Sequence, residues 1–235
     1  MSDPFFRPVT AAAGATSFDA GLRAHMQRVF NYMAGGLVLT GIVAYVVANT
    51  VLAQIIFGSP LRWVAILGPL AFLFFLPRIG RYSLAGTKAL FWSFCGVMGL
   101  SMATIFLAYS EASVARAFFI AAADFGAISL YGYTTKKDLT NMGAFMMMGL
   151  MGLIIASVVN LFLASSGLQW VVSIVSVVVF TGLTAFNVQR IKQTYDQGWG
   201  SEANNKLAVS GALSLYLDFI NLFMSILRLT GSSRN

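Results

Sequence analysis

Seven apolar runs, separated by short polar connections, constrain this chain more than any other feature. They cover residues 31–50, 62–77, 87–109, 115–134, 141–164, 168–187 and 207–229. About 20 apolar helical residues, rising about 1.5 Å each, cross a hydrocarbon layer of about 30 Å. All the runs but the second reach that length. The second fits a re-entrant or bilayer-thinning segment, but Arg62 and Trp63 at one end and Pro77 and Arg78 at the other are interfacial anchors that favour a full crossing. Composition agrees: 58% of residues are hydrophobic and 10% charged, a balance that would leave a water-soluble domain with apolar surface it cannot cover. The expected fold is an all-α integral membrane protein, a bundle of seven transmembrane helices.

Residues 1–21 read as a flexible tail and 22–231 as the membrane domain. The stretch DAGLRAHMQRVF between tail and first run fits a short amphipathic helix, with Arg23 and Arg28 towards headgroups and Leu22, Met26 and Val29 inward. An ordinary solvated lead-in fits it equally well. The first thirty residues lack the basic start, short apolar core and cleavage site of a secretory signal, so the first membrane helix is expected to do the targeting.

Seven crossings put the termini on opposite sides, and basic residues choose the hand. An inside N-terminus places Arg7, Arg23, Arg28, Arg78, Arg81, Lys88, Lys136, Lys137, Arg190, Lys192 and Lys206 inside, against Arg62, Arg116, Arg228 and Arg234 outside. The positive-inside rule then predicts a cytoplasmic N-terminus and a C-terminus on the outer side. The net charge of +7 is spread through the connections and forms no stripe, which argues against nucleic acid as a partner.

Glycine and alanine in YMAGGLVLTG, GVMGLSMA and AAADFGAISLYG let backbones approach closely, as in a compact bundle. No fixed internal period is visible. The single cysteine, Cys95, has no partner for an intrachain disulfide and reads as a buried hydrophobe. The single histidine, His25, rules out a site built on two histidines from one chain. Met146, Met147, Met148 and Met151 read as core filling, and no histidine or cysteine cluster supports soft-metal binding.

Three carboxylates lie in or beside the runs. Glu111 falls in a short outside connection and reads as solvated; Asp124 and Asp218 fall near mid-membrane. Insertion of a carboxylate at that depth costs about 2.5–3.5 kcal/mol, so each must face the bundle, a wet cavity or a partner. Asp218 is then either interhelical glue or part of an ion or proton path. Positions 218, 221, 225 and 228 share one helical face, so Asn221, Ser225 and Arg228 continue a polar stripe from Asp218 towards the outer interface. Thr181, Thr184 and Asn187 form a second polar face, from which Asn187 is placed to donate to Asp218. Arg78, at the inner end of the second run, is a candidate compensating charge.

The segments YGYTTKKDL (131–139), GLIIASVVNLFLASS (152–166) and LYLDFINLFMSILRLTG (215–231) resemble the Bax inhibitor-1 family, especially its bacterial branch, and the resemblance extends over residues 22–231. It implies a seven-helix fold in which the C-terminal helix is central and surrounded by the other six. It also implies pH-sensitive leakage of calcium, and for some bacterial members interaction with a membrane-bound ATP-dependent protease. Asp218 matches the family's aspartate on the seventh helix, Arg78 an arginine at the end of the second that helps hold the closed state, and Arg228 an arginine at the end of the seventh. The partner aspartate on the sixth helix does not carry over: the motif here is AFNVQ, with Asn187 in its place. Two close carboxylates share a proton as coupled groups, and an aspartate beside an asparagine does not. Two accounts of Asp124 stand: the second carboxylate moved to the fourth helix, or an unrelated satisfied aspartate.

The expected function is therefore a passive calcium-permeable channel in a bacterial inner membrane, modulated by pH through Asp218, with calcium as the transported ion held weakly and transiently there. Calcium suits hard oxygen donors. No nucleotide loop, metalloprotease helix or nucleophile elbow is present, so no enzyme activity and no cofactor are expected. The alternative is a membrane interaction protein that modulates, or is turned over by, the protease, engaged through its first twenty residues.

Overall fold

The computed structural model describes residues 8–75 and 82–232, with side chains described for 20–72 and 82–232. Among them every regular element is helical: α1 Pro8–Ala48, α2 Leu52–Phe57, α3 Arg62–Phe75, α4 Leu84–Ala108, α5 Glu111–Thr134, α6 Thr140–Leu163, α7 Ser166–Gln193 and α8 Gly200–Thr230. Serines start three of them. Ser83, Ser110 and Ser165 each accept a hydrogen bond from the backbone N–H three residues on, satisfying a donor that the first helical turn leaves open.

Six helices are long and apolar enough to cross a membrane: those through 20–48, 84–108, 111–134, 140–163, 166–193 and 197–230. The second apolar run forms the shorter α3 of 14 residues, about 21 Å at helical rise. Its neighbours fix its direction. Tyr32 packs on Phe91, Thr40 Oγ1 donates to the Cys95 carbonyl and Tyr45 packs on Phe106, so α1 and α4 run parallel. The chain between them must therefore return along the bundle. Phe72 meets Phe94 and Gly68 lies against Val97, so α3 runs antiparallel to α4.

The same reasoning sets two ends. At the near end, Arg28 of α1 bonds Asn205 of α8, and Lys192 Nζ donates to the Tyr133 carbonyl, joining α7 to α5. At the far end, Ser110 N donates to the Ser232 carbonyl. Among the described residues Arg23, Arg28, Lys88, Lys136, Lys137, Arg190, Lys192 and Lys206 gather towards the near end, and Arg62, Arg116 and Arg228 towards the far end.

Helix α8 is the most buried of the long helices. It packs against α1, α4, α5 and α7. Tyr216, Leu215, Leu222 and Leu227 are fully enclosed, with Phe91 and Phe94 edge-on to Tyr216, and Phe118 and Phe125 edge-on to Phe219. Close approach of α5 to α7 depends on Gly132, where a Cβ would lie 2.5 Å from the Ala185 carbonyl oxygen. The expected ring of six helices around α8 is thus partial: α3 packs chiefly on α4, and α6 on α7. Helix α6 is apolar on every side and presents most of its surface outward, which lipid permits.

That outward surface corrects the reading of the methionines. Met146 packs against Gly182 of α7, but Met147, Met148 and Met151 are exposed. The lead-in also differs. Its facing is as expected, with Leu22, Met26 and Val29 buried in the protein core and Arg23 and Arg28 exposed, but it is no separate short helix: it continues unbroken into the first apolar run as α1. Cys95 is buried and free.

Candidate functional site

The antiparallel pair α7 and α8 carries the buried charge. Asp218 is 5% exposed, and Asn187 Nδ2 donates to its Oδ2 at 2.6 Å. The expected pairing of the two polar faces is therefore present. Among the described residues no lysine, arginine or histidine pairs with Asp218; the one ion pair among them joins Lys206 to Glu202 at the start of α8.

Asp124 is held separately. Thr181 Oγ1 donates to its Oδ2 at 2.8 Å. Thr181 and Asn187 are six residues apart on α7, about 9 Å along the axis, so each aspartate has its own neutral donor at its own level. Thr184, between them, bonds back to the Phe180 carbonyl.

The stripe beyond Asp218 behaves differently from its sequence reading. Asn221 donates to the Leu217 carbonyl and Ser225 to the Asn221 carbonyl, both within α8. These side chains are satisfied by their own helix and pass no hydrogen bond on towards Arg228. Arg228 is exposed at the far end, beside a cavity that includes Asn160 and Gln169. Arg78 lies outside the described residues.

A cavity of about 140 Å³ lies between α7 and α8, lined by Asn187, Arg190, Thr194, Ser210, Gly211 and Ser214 among others. Ser210, Ser214 and Asp218 recur every four residues, one face of α8, and the cavity ends at the asparagine that holds the carboxylate. Sequence reasoning missed the two serines, although their spacing of four from Asp218 is legible in it. Among the described residues no three His, Cys, Asp or Glu side chains come together. Asp218 is therefore a lone buried carboxylate, with the Asn187 amide as its hydrogen-bond partner among the described residues.

Residues 22–235 match the family described as inhibitor of apoptosis-promoting Bax1. The chain belongs to the Bax inhibitor-1 family. A Rickettsia prowazekii protein of uncharacterised function is 42% identical, with 98% of this chain and 99% of the relative covered. The inner membrane protein YbhL of Escherichia coli K12 is 40% identical over 92% of this chain and 94% of its own. An uncharacterised membrane protein of Streptococcus pyogenes is 33% identical over 92% and 96%.

Proposed function

We propose that this Bax inhibitor-1 protein is a passive cation leak, with calcium the favoured ion and Asp218 the residue that admits it. The observation that carries the proposal is the placement of Asp218: a buried carboxylate with one neutral donor, Asn187, which itself lines a partly polar cavity at the basic end of the bundle. A structural aspartate needs its hydrogen bond but has no need of the cavity. Asn187 stands at the constriction, and Asp124 with Thr181 forms a second polar level nearer the far end. Beyond Asp218 the self-bonded Asn221 and Ser225 make the resting path dry. Opening requires α8 to shift against its neighbours, with Arg228 and Arg78 as the charges that hold it closed.

The proposal includes an orientation. The near end faces the cytoplasm of a bacterium and the far end faces outward across its inner membrane. The second apolar run, which holds α3, serves as a seventh crossing. The parallel course of α1 and α4 supports that crossing, and the clustering of basic residues at the near end supports the hand.

Calcium efflux from liposomes holding the purified protein tests the reading. The wild type is expected to leak calcium faster than empty vesicles, and Asp218→Asn to reduce that leak at least tenfold. Flux equal to that of empty vesicles from pH 5 to pH 8 overturns the leak and favours an interaction protein acting with a membrane-bound ATP-dependent protease; unchanged flux in Asp218→Asn overturns the site.

A further inference from the structure

A second polar cavity lies at the near end, between residues 21–28 of α1 and the turn joining α7 to α8. Its volume is about 280 Å³, and its lining includes His25 and Arg28 from α1 and Tyr195, Gln197, Ser201 and Asn204 from the turn and the first turns of α8. That is just under the range of about 300–1,000 Å³ typical of pockets for drug-sized ligands. It suits a small polar group.

Two buried side chains in its wall lack partners. His25 is 1% exposed, and neither ring nitrogen has a hydrogen bond; its ring lies 5.2 Å, centroid to centroid, from that of Tyr195. Asn204 is 7% exposed; its Nδ2 donates to the carbonyls of Asp196 and Gly200, which fixes the amide and leaves Oδ1 without a donor. Buried polar atoms in folded proteins are nearly always paired, because stranding them is costly. Two stranded residues on one small cavity point to a group that pairs with both.

The remaining features give that group a negative charge. Helix α8 begins here, and Trp199 at its N-cap offers no side-chain hydrogen bond, so the first-turn N–H groups of a 31-residue helix are left to an outside acceptor. The Arg28 guanidinium is held in place by Asn205 Oδ1, and its other N–H groups remain for a ligand. Two carboxylates lie nearby and both are engaged: Glu202, 65% exposed, pairs with Lys206 at 3.1 Å, and Asp196, exposed in the turn, accepts from Gly198 N through Oδ1 at 2.8 Å.

We propose that this cavity binds a phosphate group bearing an adjacent hydroxyl. Arg28, the His25 N–H and the first turn of α8 donate to the phosphate oxygens, and Asn204 Oδ1 accepts from the hydroxyl. Hydrogen phosphate and the headgroup of an anionic glycerophospholipid both have this chemistry. The basic last turn of α7, with Arg190 and Lys192, places the site where headgroups lie. The site is independent of the reading of Asp218.

His25 is the chain's only histidine, so selective ¹⁵N-histidine labelling of the untagged, detergent-purified full chain reports this site alone. One arm titrates inorganic phosphate against chloride at matched ionic strength; the other titrates short-chain phosphatidylglycerol against short-chain phosphatidylcholine. A saturable shift of the imidazole ¹⁵N signals is expected in at least one arm. Inorganic phosphate alone identifies a free-phosphate site, phosphatidylglycerol alone a headgroup site, and either supports the proposal. Arg28→Gln is expected to weaken binding by about tenfold or more, while Arg116→Gln at the far end leaves it unchanged. Should Arg28→Gln fail to fold, the exposed Gln197→Glu, which places a negative charge at the mouth, is expected to weaken binding similarly. Signals unmoved into the millimolar range of both probes, or shifts indifferent to the folded variants, overturn the proposal.

Discussion

Asn187 Nδ2 lies 2.6 Å from Asp218 Oδ2, and this bond is the polar link between α7 and the buried core of α8. Asn187→Ala strands a carboxylate that is 5% exposed and is expected to cost about 1–3 kcal/mol of stability, read as a lowered unfolding temperature in detergent. Asn187→Asp keeps the shape and restores a like-charge pair. Coupled carboxylates share a proton over a range set by the pair, so calcium flux in this variant is expected to depend more steeply on pH than in the wild type. Equal steepness would show that Asp218 does not take part in gating.

Thr40 and Tyr216 make an unequal pair. Thr40 Oγ1 lies 2.7 Å from the Tyr216 hydroxyl and 2.9 Å from the Cys95 carbonyl oxygen, in the interior shared by α1, α4 and α8. Tyr216→Phe leaves Thr40 bonded to Cys95, and about 1 kcal/mol is expected to be lost. Thr40→Val strands the fully buried Tyr216 hydroxyl and removes the cross-link to α4 as well. It is expected to cost more, about 2–3 kcal/mol. Thermal unfolding of the two variants, compared side by side, tests the order.

What the sequence disclosed, and what it hid, follows from the solvent each residue meets. The membrane helices were legible because hydrocarbon demands long apolar runs, and Asp218 was legible because a charge stands out within one. Helix ends were not: α7 continues beyond 187 to Gln193 and α8 begins at Gly200 rather than near 207, since polar turns such as EANNK continue a helix into the headgroup layer without apolar residues. Facing was also hidden. Lipid and protein interior are both apolar, so Met147 facing outward and Met146 facing Gly182 look alike in the sequence. Gln189 was overlooked for a related reason. It accepts from Leu139 N and donates to the Lys137 carbonyl, pinning the connection between α5 and α6 across a sequence separation that no local pattern reveals.

In that connection Asp138 is fully exposed, and hydrogen bonds from the Thr140 hydroxyl and backbone N–H hold its carboxyl below the ordinary value of 3.8. A carboxyl lowered in the folded state stabilises it above the unfolded-state pKa, and that contribution fades as pH falls through the lowered value. Thr140→Val removes the hydroxyl, the larger cause, and keeps the N–H. The Asp138 pKa is expected to rise back towards 3.8, measured by carboxyl ¹³C titration.

The parallel course of α1 and α4 makes the connection between them the test of topology. With Cys95 replaced by alanine, single cysteines at Thr50 and Ser232 report the far end, and at Tyr82 and Lys136 the near end. All four positions are exposed. A membrane-impermeant maleimide is expected to label Thr50→Cys and Ser232→Cys in intact spheroplasts, and Tyr82→Cys and Lys136→Cys only after permeabilisation. The decisive comparison is Thr50 with Tyr82, since only the segment holding α3 separates them. At 14 residues α3 is shorter than a full span, so a crossing there requires the residues after Phe75, local thinning of the bilayer, or both. Labelling of Tyr82→Cys from outside together with Thr50→Cys would show that the segment turns back, and that the bundle crosses the membrane six times.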